Sequence, residues 1–66
     1  MDKNYCLRYK GQWMNLKRMT GQYTYVLTDN PEEIKYLSKT QALSTRAVIA
    51  EDNRLEKEDI EIVKMD

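Results

Sequence analysis

The sequence predicts an α+β fold: a small antiparallel sheet of three to four strands with one main helix packed on one face, in the order β-β-β-α-β. Three observations predict it. Apolar and polar residues alternate with a period of two through residues 5–9, 12–18 and 23–28. Glycine-bearing turns, Lys10-Gly11 and Thr20-Gly21, separate those runs. A helix-period stretch then follows a capping pattern that begins at Ser38.

In the first strand Tyr5, Leu7 and Tyr9 point one way, Cys6 and Arg8 the other. The second places Met14 and Leu16 on one face and Trp13, Asn15 and Lys17 on the opposite one. The third groups Tyr23, Tyr25 and Leu27. Short connections between three such runs make an antiparallel meander.

At Asp29-Asn30-Pro31-Glu32-Glu33 the pattern changes. Asn30 can cap, Pro31 suits a first helical position, and Glu33 can reach back to the cap amide, so 31–37 reads as a short helical turn or irregular piece. Ser38 with Gln41 repeats the capping box, and Leu37 with Ala42 is placed as a hydrophobic staple, which starts a helix running from about 39 to 52. Ile49, Ala42, Ala50, Leu43 and Ala47 are expected to form its buried stripe. Arg46 falls inside that stripe and must snorkel out or meet an acid. Asn53 ends the helix, Arg54 to Asp59 is a charged connection, and Ile60 to Met65 is a closing strand.

Sixty-six residues make one small domain, 1–66, with a net stability of a few kcal/mol. Cys6 is the only cysteine, so no disulfide within the chain supports the fold, and a lone thiol fits a reducing, cytoplasmic setting. Met1 to Lys10 carries charges without an apolar run behind them, and no stretch approaches a membrane span, so neither a signal peptide nor membrane association is expected. Dimerisation is a natural source of added stability at this size.

The residue types needed for most catalysis are missing. There is no histidine, which removes the commonest general base and metal ligand. One cysteine without histidine makes neither a familiar zinc site nor a Cys-His nucleophile. Gly11 and Gly21 stand alone, so no phosphate-cradling loop is present. Asp52 to Glu56 lacks the glycine and later bidentate acid of a calcium loop. Glu32-Glu33, Glu51-Asp52 and Glu58-Asp59 are adjacent in sequence and therefore point apart, as solvated faces do. Cys6, flanked by Tyr5 and Leu7, reads as a quiet thiol. The expectation is a protein that is not an enzyme and uses no metal or cofactor.

Charge is distributed unevenly inside a neutral total. Residues 1–28 hold five cations against Asp2 alone, a net of +4, and residues 29–66 hold ten acids against six bases, a net of −4. The basic part also contains Tyr5, Tyr9, Trp13, Tyr23 and Tyr25. If Leu7, Met14 and Leu16 face the helix, Arg8, Lys10, Trp13 and Lys17 fall on the other side as a contact patch. Trp, Tyr, Met and Arg are the types enriched in protein interfaces. Exposed rings with cations also suit single-stranded nucleic acid, the alternative reading, although total charge is zero and no RNP-type motif occurs. Set against both, a chain without phenylalanine must build its interior from Tyr, Trp, Leu and Ile, which leaves Trp13 as the ring expected to be partly exposed. Glu51, Asp52, Glu56, Glu58, Asp59 and Glu61 offer an acidic surface that can enter a basic groove, as a nucleic-acid mimic does.

The run Tyr5 to Trp13, then Thr28 to Leu37, then Ser38 to Ala50 and Ile60 to Val63 resembles small accessory proteins of bacteriophages and mobile elements. Those show a hairpin with a Gly-aromatic turn, an apolar step, an Ala-containing helix and a closing strand. Ile34 and Leu37 stand here where a small residue and Phe are frequent in the apolar step. The resemblance implies a cytoplasmic binding protein that modulates a host or phage protein, and it carries over no functional residue.

Overall fold

A computed structural model describes residues 3–65; Met1, Asp2 and Asp66 lie outside it, and with them the start of the expected leaderless N-terminus. The strands are β1 (Tyr5–Tyr9), β2 (Gln12–Met19), β3 (Gln22–Thr28) and β4 (Ile60–Lys64), and the helix α1 is Lys39–Asn53. They form one antiparallel four-stranded sheet in the order β3-β2-β1-β4, so the closing strand pairs beside the first. Single turns of 3₁₀ helix occupy Pro31–Glu33 and Lys57–Asp59.

Each hairpin turns on two residues of positive φ. Lys10 and Gly11 have φ of 51° and 81°, and Thr20 and Gly21 have 46° and 78°. Both central residues left-handed is the type I′ geometry that matches strand twist. Threonine is a poor choice there, because its branched Cβ crowds the backbone at positive φ. Thr20→Asn should therefore raise stability by about 1 kcal/mol, measured as a higher urea midpoint with unchanged slope. An unchanged or lower midpoint would show that the Thr20 turn is unstrained.

β2 and β3 pair along their whole length, from Trp13↔Thr28 to Met19↔Gln22. β1 and β2 pair only next to their turn, at Arg8↔Trp13 and Tyr9↔Gln12. Beside Tyr5, Leu37 takes the place of a β2 partner, exchanging hydrogen bonds of 2.9 and 2.7 Å with the Tyr5 backbone. The far end of the β2–β3 hairpin thus parts from β1, and α1 reaches across to it. Leu7, Met14, Ile49, Ile60 and Ala42 are at most 2% exposed and form the core between helix and sheet. Tyr9 joins them, edge-to-face with Tyr25 at 6.2 Å.

The capping box is complete: Ser38 Oγ accepts from the Gln41 amide and Gln41 Oε1 accepts from the Ser38 amide. At the 3₁₀ turn Asn30 Oδ1 accepts from Glu32 N–H, but Glu33 does not reach back; the Asn30 amide donates to Thr28 Oγ1 instead, at 3.1 Å. A hydroxyl two residues away is nearer than a carboxylate on a turn this short.

The buried stripe of α1 needs correction. Ala42, Ile49 and Ala50 are buried, whereas Leu43 is 46% exposed and Ala47 faces solvent. Polar bonds at the far end turn the helix. Asp52 Oδ2 accepts from Tyr23 N–H at 3.0 Å, and Asn53 Nδ2 donates to the carbonyls of Tyr23 and Ile49. Those contacts bring the Asp52–Asn53 side of α1 against β3 and swing Leu43 and Ala47 away. Arg46, in place of an acid, finds a carbonyl: Nη1 donates to Ile60 O at 3.5 Å. Asn53 is the last helical residue, and Arg54 follows in the left-handed conformation.

Candidate functional site

Only one face of the sheet carries the helix. On the other, alternation brings Cys6 and Arg8 of β1, Trp13, Asn15, Lys17 and Met19 of β2, and Glu61 and Val63 of β4 to one side. β3 adds Thr24, Val26 and Thr28. Across the four strands, one row reads Thr28, Trp13, Arg8, Glu61 in direct register.

Within that row the Arg8 guanidinium lies over the Trp13 ring, 5.1 Å from its centroid. Arg8 Nη2 donates to Gly11 O at 3.4 Å, and Nε is buried without a hydrogen-bond partner. Arg8 is therefore a fixed, half-buried plate on the indole, the stacked arrangement that guanidinium favours. Glu61 stands opposite it on β4, so this row is close to neutral.

The four residues expected to form the contact patch divide. Arg8 and Trp13 come together. Lys17 shares their face but lies four residues along β2, about 13 Å away. Lys10, in the turn, leans over the Tyr9 ring with Nζ 5.3 Å from the centroid, and that ring belongs to the helix side. Sequence alternation missed the apolar members of the face, Val26 at 52% and Met19 at 63% exposure, because each looks unremarkable in its own strand.

Of the remaining rings, Tyr5, Tyr9, Tyr23 and Tyr25 pack with the core and Tyr36 is 39% exposed. The acidic set is scattered: Asp52 is held on Tyr23, while Glu51, Glu56, Glu58, Asp59 and Glu61 are exposed. An open cleft of about 700 Å³ at the start of α1 is lined by Lys3, Asn4, Tyr5, Lys39, Thr40 and Lys64, among others. Among the described residues, no three His, Cys, Asp or Glu side chains come together to hold a metal ion, and no helix is long and apolar enough to cross a membrane.

Cys6 belongs to the open face yet is 2% exposed, with Sγ 3.8 Å from the Val63 carbonyl. Burial pushes its thiol pKa above the ordinary 9.0, and the Arg8 charge offsets part of that. Above pH 9 the unfolded chain ionises first, so this thiol removes stability as pH rises toward its folded pKa. Alkylation of native Cys6 near neutral pH should accordingly be limited by opening of the fold and should accelerate in urea. Labelling as fast in buffer as in urea would contradict the buried thiol.

No protein-family model, curated protein or solved structure matches the chain.

Proposed function

We propose that this chain is a non-enzymatic binding module whose partner is a protein, held on the helix-free face of the sheet. The observation that carries this is the composition of that face. Trp13 sits half-buried under Arg8 in the row next to the first turn, and Val26, then Met19 at the far end of β2, are exposed further along the same face. Aromatic, Arg and Met side chains are the types enriched at interface centres. The mechanism is occlusion or recruitment by surface complementarity, and the resemblance noted above makes a host or phage protein the class of partner.

Nucleic acid fits this face less well. Base stacking needs a free ring, but one side of Trp13 is taken by Arg8. Lys10 is drawn to Tyr9, and Glu61 lies opposite Arg8, which leaves Lys17 as the free cation of the patch.

The test is affinity capture from a bacterial lysate with and without nuclease. A stoichiometric protein that survives nuclease, and binds with a shallow salt dependence, supports the proposal. Capture that disappears with nuclease, or affinity that falls steeply with salt, transfers the function to nucleic acid.

A further inference from the structure

The outer strands of the sheet are β3 on one side and β4 on the other, and the helix closes the two edges unequally. In an antiparallel ladder, alternate residues aim both N–H and C=O to the same side. On β3, Tyr23 gives its N–H to Asp52 and its carbonyl to Asn53, both outside the β2 partner. Tyr25 and Leu27 share its parity, so their backbone groups also point outward. On β4 the outward residues are Ile60, Ile62 and Lys64. Ile60 is satisfied twice, with its carbonyl on Arg46 and its N–H on Lys57 O.

What remains open differs in amount and in character. β4 keeps Ile62 and Lys64 open, and carries the charges of Glu61 and Lys64. β3 keeps two consecutive outward residues, Tyr25 and Leu27, on a seven-residue strand without charge, proline or glycine. Natural edge strands are ordinarily blunted by one of those residues or by a covering element. β3 is covered only at Tyr23.

We infer that β3 is a self-association edge, and that its occupant is β3 of a second copy, antiparallel about a two-fold axis through Val26. A second copy supplies a strand of matching length and no charge for this register. Tyr25 and Leu27 are symmetric about Val26, so each pairs with the other residue of the second copy, and both open pairs of backbone groups are used. Val26, 52% exposed on the helix-free face, then meets its own counterpart at the close, non-hydrogen-bonded spacing of about 4.5 Å. Thr24 falls opposite the second copy's Thr28, a favourable cross-strand pair.

Charge is compatible as well: an uncharged strand meets an uncharged strand on a chain of net charge zero. The same operation on β4 would run through Glu61, which needs the committed Ile60 and sets two carboxylates face to face, or through Val63, which pairs Ile62 with the charged Lys64 at the last residue of the strand. Because the pairing is two-fold and β4 is partly closed, association stops at a dimer and does not run on into a fibre. The result is an eight-stranded sheet with both helices on one side. It goes beyond the partner-binding reading and stands without it.

Sedimentation velocity of the full chain, from micromolar to millimolar concentration, tests this. The wild type is expected to move from monomer to dimer, with amide exchange at Tyr25 and Leu27 slowing as dimer forms. Val26→Lys and Val26→Glu each place like charges face to face on the axis, and each should weaken the dimer at least tenfold. Mixing the two variants should restore it, since Lys then faces Glu. A wild type that stays monomeric throughout overturns the inference, and the exchange readout needs no variant to fold. Dimers that persist in both single variants, or a mixture that fails to recover, overturn the β3 register.

Discussion

Ile49→Ala is expected to leave the chain largely unfolded at 25 °C. Ile49 is fully buried at the point where α1 crosses the sheet, in the cluster with Leu7, Met14 and Ile60. Removing three carbons there costs about 2–5 kcal/mol, the sum of lost burial and the cavity left behind. A domain of this length has only about 3–5 kcal/mol to lose. Ala42 and Ala50, beside it on the helix, are too small to move in and fill the space. Far-UV circular dichroism should show lost helix, and urea titration should lack a folded baseline. A variant that unfolds cooperatively within about 1 kcal/mol of wild type would show that the helix is not packed as described.

The second large effect concerns binding. Trp13→Ala with Lys17→Ala should abolish partner binding, a loss of at least about 2 kcal/mol or roughly thirtyfold from the indole alone. Trp13 also supports the Arg8 guanidinium, so its loss frees a cation that the face had held in place. Lys17 is fully outside the core, and Lys17→Ala alone reports binding without risk to the fold. The double variant should keep the wild-type circular dichroism spectrum. Unchanged affinity in a folded double variant would remove the sheet face from the function and direct attention to the acidic residues Glu56, Glu58, Asp59 and Glu61.

Local signals carried most of the fold. The two Xaa-Gly turns, the alternation in 5–9, 12–18 and 23–28, and the Ser38-Gln41 box each depend on neighbours within four residues, and all are found where the sequence places them. What escaped involves partners some thirty residues apart. Asp52 reads as part of a solvated face and Asn53 as the end of the helix, yet they secure Tyr23. That bond explains why Leu43 and Ala47 lie outside the core despite their place in the apolar stripe. The candidate patch divides in the same way. Arg8 and Trp13 were legible as same-face residues, but their direct register follows from turn geometry, and the lean of Lys10 onto Tyr9 has no periodic signal.

The pairing of β1 with β4 has a consequence for the order of assembly. Cys6 and Val63, neighbours in the sheet, are 57 residues apart in the chain, whereas each hairpin closes over two residues. Loop-closure entropy therefore favours the hairpins early, on a timescale of about microseconds, and the terminal strand late. In a chain made from its N-terminus, β1 emerges first and its outer partner last. During that interval the Cys6 and Arg8 backbone groups that later bond β4 are unpaired, and Arg46 has no Ile60 carbonyl to hold. Nascent chains at high density will meet one another at this temporary edge, so refolding yield should fall with concentration even though the finished sheet keeps β1 inside.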